Sequence, residues 1–385
     1  MKYLHGEFFN LEKENNILVV MNDDEINEKY KRGEIRIVTE QARYPVKSIP
    51  EMLKSGDYKL NPEYQRRNRW SNDRKSRLIE SFIMNVPLPP IFLYEYEYSK
   101  YEVMDGLQRL SSINDFYNND FSLEGLEYWG ELNGKKYSEL PSEIQKGIDR
   151  RYISSIVLLE ETAKTLEEAE ELKQIVFERL NSGGEKLTPQ ETRNALYNGK
   201  FNQLCIRIAE NPKFKEMWNI TSNEDTYYKK MYDVELVLRF FAYRFLNKFR
   251  NTKEKFFDEY LKQANLFSIE TIKELENLFE ETIYVIWEIF GKEAFILPKN
   301  ERQNLRPTTV MYDPLMQVIS KYINYKDKLI KNKETIFSQI RSSSDLYAKY
   351  YNEENKLLLF DGKYDHKPII EQRINYFDSI INQFI

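Results

Sequence analysis

The stretch KYEVMDGLQRLSSINDFY, residues 100–117, changes its period halfway along. Tyr101, Val103 and then Met104 fit a strand running into a core, Asp105-Gly106 is a strong turn dipeptide, and Leu110, Ile113 and Phe116 or Tyr117 recur as the inner face of a helix. The motif therefore reads as a strand-to-helix turn. The first backbone N–H groups of such a helix lack intrahelical partners and carry the positive end of its dipole, so Gly106 to Gln108 can receive an anion with little rearrangement. Arg109 adds a planar fork that fits phosphate. Asp105 would lie beside that anion, which suits a divalent cation bridging carboxylate and phosphate, or a water that must be oriented. On spacing alone the plainer reading also stands, with Asp105 as a helix cap and Arg109 as a surface charge.

The surrounding chain places this corner in a mixed unit. Short alternating or apolar runs at 35–40, 91–97, 100–104 and 153–160 are separated by helical segments, the pattern of an α/β or α+β fold. From Leu166 onward the periodicity is helical, as in VELVLRFFAYRFLNKF at 234–249 and TIKELENLFEETIYVIWEIF at 271–290. The expected organisation is an N-terminal segment over 1–45, a mixed core over 46–160 and a mostly helical bundle over 161–385, α+β in class.

Composition narrows the chemistry. A chain of 385 residues can bury a substantial core without disulfides. Cys205 is the single cysteine, and with only His5 and His366 beside it no Cys/His zinc cluster can be assembled. No apolar run approaches the length of a membrane span, and the first residues lack a leader pattern, so a cytoplasmic, membrane-free protein is expected. Lys+Arg 57 against Asp+Glu 62 leaves a formal charge of -5, so any contact with phosphate must be local. The 28 tyrosines and 23 phenylalanines are scattered along the chain, which points to core packing more than to a base-stacking surface.

Two other stretches add polar function. Residues 61–95, NPEYQRRNRWSNDRKSRLIESFIMNVPLPPIFLYE, hold Arg66, Arg67, Arg69, Arg74, Lys75 and Arg77 around a helix that buries Leu78, Ile79, Phe82 and Ile83 and ends near Asn85. Such charges are usually a solvated face, yet some could point at the phosphate corner. In residues 177–201 a helix ends at Leu180, Asn181 to Gly184 make a left-handed turn, and Thr188, Pro189 and Glu191 form a capping box. Arg179, Asn181 and Arg193 are more polar function than that corner needs.

Together these stretches resemble the DUF262 family, the N-terminal domain of GmrSD-type modification-dependent restriction systems. The resemblance rests on Tyr64-Gln65-Arg66 with Trp70, Leu78-Ile79-Glu80-Ser81, Pro87 with Pro89 and Pro90, Asp105 to Arg109, and Arg179 through Glu191. It covers about Tyr44 to Phe201. It implies a ParB/sulfiredoxin-like core that binds and hydrolyses a nucleoside triphosphate, with Mg²⁺ at Asp105 and a role in defence against phage DNA. Asp105, Gln108 and Arg109 would then be catalytic, and Gln65, Arg66, Lys75, Gly106, Leu107, Arg179 and Asn181 would bind the nucleotide. Leu107 stands where the family more commonly has glutamine; three residues before Leu110, it is expected to join the inner helix face and leave Gln108 and Arg109 outward. Many relatives carry an HNH nuclease half, and Asp365-His366-x-Pro368 resembles the start of one. Only 19 residues follow His366 and none is a histidine, so a nuclease or other effector is expected to be encoded separately. The partners expected are the triphosphate, DNA that includes modified phage DNA, that effector, and further copies of the chain. A regulatory subunit that binds nucleotide or DNA without turnover is the alternative.

Overall fold

The computed structural model describes residues 3–10, 22–32, 37–60, 70–159, 165–180, 187–222, 225–250, 252–297, 306–341, 359–360 and 365–385. The chain divides into two compact units, Glu14–Leu187 and a second made of Met1–Lys13 with Thr188–Ile385.

The first unit runs α1 (Asp23–Arg32), β1 (Thr39–Pro45), α2 (Ile49–Lys54), β2 (Tyr58–Lys59), α3 (Asn72–Met84), β3 (Ile91–Glu97), β4 (Lys100–Asp105), α4 (Leu107–Tyr117), α5 (Ser142–Asp149), β5 (Tyr152–Leu158) and α6 (Leu166–Leu180). Its five strands are ordered β1-β5-β3-β4-β2. β1 is antiparallel to β5, β3 parallel to β5, and the β3–β4 hairpin antiparallel, with β2 added parallel to β4. The sheet is mixed, and with the helical region that follows it the chain is α+β. The first strand differs from expectation: it begins at Thr39 and extends to Pro45, where it pairs with Tyr152, instead of ending at Glu40. Its pairing with β5 decides where it runs, and local alternation carries no record of that partner.

Period-2 alternation puts Ile91 and Leu93 of β3, and Ile153 and Val157 of β5, on the covered face, where they meet Leu78, Ile79 and Phe82 of α3 and Leu110, Ile113 and Phe116 of α4. Each such side chain contributes about 1.5–3 kcal/mol on burial. α3 starts at Ser71, whose hydroxyl accepts from the Arg74 N–H, and stops at Asn85 in the left-handed region with φ 60°. Arg151 then donates to the Phe82 carbonyl at 3.0 Å, satisfying an end group of the same helix. The other sheet face is met by α6, where Lys173 pairs with Glu102 of β4 at 2.5 Å.

The second unit is helical: α7 (Pro189–Leu196), α8 (Lys200–Ile208), α9 (Pro212–Met217), α10 (Thr226–Lys229), α11 (Tyr232–Tyr243), α12 (Lys253–Ala264), α13 (Ile269–Phe290), α14 (Thr309–Lys321), α15 (Lys326–Lys331), α16 (Lys333–Arg341) and α17 (Lys367–Ile381). α7 opens with the expected reciprocal cap between Thr188 and Glu191, with proline in its first turn. Many of the aromatics pack in the core: Phe9 meets Phe245, Phe256 and Tyr260 edge-on at 5.5 to 5.8 Å, and Phe201 meets Phe241 in the same way. The N-terminal segment is fastened there by Glu7, which accepts two hydrogen bonds of 2.7 Å from Arg244. Among the described residues no helix is long and apolar enough to cross a membrane.

Candidate functional site

β4 delivers Asp105 to the edge of the first unit, and the chain turns into α4 through Gly106 at φ 95°. Only glycine fits: a Cβ here would lie 2.4 Å from Ile91 Cγ2, besides requiring a backbone conformation that L side chains avoid. Gly106 offers no side-chain cap, so the N-terminus of α4 keeps its positive dipole end without a capping acceptor.

The structure brings Asp105, Gly106, Leu107, Gln108 and Arg109 into one corner, but not with the expected orientations. Arg109 is turned inward and is only 11% exposed, whereas Asp105 is 44% exposed. Its guanidinium donates to Asp105 Oδ2 at 2.7 Å, to the Pro90 carbonyl at 3.2 Å and to the Pro89 carbonyl. Burial lowers the Arg109 pKa from its ordinary value, and the Asp105 carboxylate opposes that shift. The reason is geometric: β3 pairs with β4, so the proline lead-in to β3 passes beside the first turn of α4 and presents two carbonyls. Gln108 accepts from the Trp70 N–H at 3.2 Å through Oε1, which ties the approach to α3 to the same corner. Leu107 is half-buried and is not part of the core cluster, so it does not join the inner face begun by Leu110.

Of the other expected nucleotide contacts, Lys75 on α3 is committed to Asp115 on α4 at 2.8 Å and is mostly buried. It joins two helices. Arg179 lies exposed in the last turn of α6. Gln65, Arg66 and Asn181 fall outside the described residues. Arg193 is buried, bonded to Asp258 at 2.6 Å and to Glu235 at 3.0 Å. The Asp365-His366 pair begins α17, with Asp365 held by Arg239 at 2.8 and 2.9 Å. Among the described residues no group of three or more His, Cys, Asp or Glu could hold a metal ion.

The stripe Asp73, Ser76 and Glu80 on α3 went unread in the sequence. Glu80, 3% exposed, accepts from the N–H groups of Glu127, Tyr128 and Trp129 at 3.2, 2.8 and 3.0 Å. Ser76 accepts from Glu124 at 2.9 Å. Polar residues at i, i+3 and i+7 along a helix that also buries Leu78, Ile79 and Phe82 were the available signal, since buried polar groups must find partners.

Residues 49–198 match the family described as GmrSD restriction endonuclease, N-terminal domain. No curated protein and no solved structure matches the chain.

Proposed function

Because the chain carries a GmrSD-type restriction endonuclease N-terminal domain over residues 49–198, we propose that it is a nucleoside-triphosphate-binding and hydrolysing switch of a restriction-like anti-phage system. The observation that carries this reading is the N-terminus of α4, without a side-chain cap and entered through a glycine that no other residue can replace. Phosphate oxygens would meet the first N–H groups of that helix. Asp105, its carboxylate half exposed, would hold Mg²⁺ through one oxygen. A single carboxylate suits a cation that keeps most of its waters and takes other oxygens from the phosphates. Mg²⁺ would supply neutralisation of phosphate charge there.

The chain's own residues do the positioning. Gly106 allows close backbone approach, Gln108 holds Trp70, and Arg109 orients the Asp105 carboxylate, so we assign Arg109 a positioning role in place of direct phosphate contact. Lys75 leaves the set, because its ammonium is taken by Asp115. DNA, including modified phage DNA, and a separately encoded effector remain the expected partners. The reading without turnover is favoured by one observation: Arg109 is already bonded to Asp105, Pro89 and Pro90, so it does not face a transferring phosphoryl group.

Phosphate release and equilibrium binding, measured with each of the four NTPs and Mg²⁺ with and without DNA, test both readings. Turnover that is lost in Asp105→Asn while binding persists supports the switch. Binding with no turnover in any condition supports the regulatory subunit, and absence of both overturns the assignment of the corner.

A further inference from the structure

Within the helical unit, a cavity of about 370 Å³ lies between α11, α12 and the segment leading into α14. Its size is that of a small-molecule site. Tyr232, Glu235, Leu236 and Arg239 line it from one face of α11, since they recur at three and four residues. Lys253, the first residue of α12, lines it together with Asp365. The Tyr227 and Tyr232 rings, both exposed and 5.5 Å apart between centroids, form an aromatic wall. The charged lining residues are Glu235 and Asp365 against Arg239 and Lys253, a formally neutral set.

Two of these four charges are committed to each other and two are open. Buried Arg239 donates to Asp313 at 2.7 and 2.5 Å and to both oxygens of Asp365 at 2.8 and 2.9 Å. Burial works against ionisation of Asp365, but Arg239 outweighs it, so its carboxyl stays below the ordinary range. Glu235 accepts from Arg193 at 3.0 Å through Oε2. Its Oε1 makes no hydrogen bond among the described residues and is not enclosed, the side chain being 19% exposed. The Lys253 ammonium, on a side chain 31% exposed, comes no nearer than 3.8 Å to Asp365, beyond hydrogen-bond length. One open carboxylate oxygen and one open ammonium thus line the same cavity. They are joined by a short chain of contacts: Glu235 is one helical turn from Arg239, Arg239 holds Asp365, and Asp365 neighbours Lys253.

We propose that this cavity binds a free amino acid with a large apolar side chain, its ammonium donating to Glu235, its carboxylate accepting from Lys253 and its side chain set against the tyrosine wall. A ligand with one charge alone meets a like charge here, an anion at Glu235 and a cation at Lys253, whereas a zwitterion satisfies both. The short span between ammonium and carboxylate in an amino acid suits the short chain of contacts between the two groups.

The test titrates the full chain by calorimetry near neutral pH with phenylalanine and leucine. The comparison ligands are N-acetylphenylalanine, which lacks the ammonium, phenylalanine amide, which lacks the carboxylate, and glycine, which lacks the side chain. Phenylalanine should saturate the site, and each comparison ligand should bind at least about tenfold more weakly, the effect of one charged hydrogen bond or of the lost apolar contact. Glu235→Gln, which retains an oxygen for Arg193, should weaken phenylalanine about tenfold and leave N-acetylphenylalanine unchanged. Lys253→Met should weaken phenylalanine likewise and leave the amide unchanged. Asp105→Asn should alter none of these, which separates this site from the proposed triphosphate corner. No saturation by phenylalanine or leucine up to about 10 mM shows that the cavity holds solvent alone and overturns the proposal. So does any comparison ligand that binds as tightly as phenylalanine, or a loss in the variants that is equal for phenylalanine and its derivatives.

Discussion

Replacing Arg109 by alanine removes a brace, and the loss can be worked from its contacts. The guanidinium bonds two proline carbonyls and one carboxylate, and the arginine itself is almost fully buried. Hydrogen bonds from a charged donor contribute about 1.5–3 kcal/mol each. The Asp105 carboxylate is 44% exposed and regains water, so its pair adds little. The expected loss is about 3 kcal/mol, which at about 2–4 °C per kcal/mol for a unit of this size lowers Tm by roughly 6–12 °C. Differential scanning calorimetry of the full chain reads this shift. Arg109→Lys keeps the charge but cannot span three acceptors, and should recover less than half of the loss. Triphosphate binding, measured below the shifted transition, should weaken in both variants as Asp105 loses its orientation. A Tm within about 1 °C of wild type with binding abolished would refute this reasoning: the arginine would then act on the ligand and not on the proline carbonyls.

The corner and its supports offer further checks. Gly106→Ala should cost roughly 3 kcal/mol in urea unfolding, since the new methyl collides with Ile91 in a left-handed backbone; an unchanged midpoint would mean that β3 yields freely. Glu80→Gln should destabilise by about 2 kcal/mol, because an amide donor replaces one of two acceptor oxygens. Hydrogen exchange at Glu127, Tyr128 and Trp129 should accelerate there and not across β5, and uniform acceleration would count against a local anchor. Tyr117 and Tyr137 both donate to Asp149, at 2.8 and 2.9 Å. Burial first, and then that carboxylate, push the Tyr137 hydroxyl up to about 12 and the Tyr117 hydroxyl higher still. Folded values above the unfolded value of about 10 mean that this stabilisation is complete below pH 10 and is lost as pH rises through about 12. Denaturation midpoints across that window should fall less steeply in Tyr117→Phe/Tyr137→Phe than in wild type, and parallel slopes would exclude the pair as the cause.

Whatever depended on neighbours in sequence was legible from it. The switch from alternation to a three-and-four repeat across Asp105-Gly106 located β4, the turn and α4, because strand and helix periods are local properties. Thr188, Pro189 and Glu191 announced their capping box, because all its atoms lie within one helical turn. The helical texture after Leu166 likewise followed from period alone. The destination of each long charged side chain was decided only in the fold. Arg109 can swing outward or inward from the same backbone, and it turns inward because β3, paired with both β4 and β5, brings Pro89 and Pro90 alongside. Lys75 meets Asp115, 40 residues away, and Arg239 meets Asp365, 126 residues away. A guanidinium or ammonium on a flexible stem is satisfied by whichever acceptor the packing of apolar neighbours carries to it, so sequence determined which charges exist and on which elements, and the tertiary structure alone decided which of them remain to face a ligand.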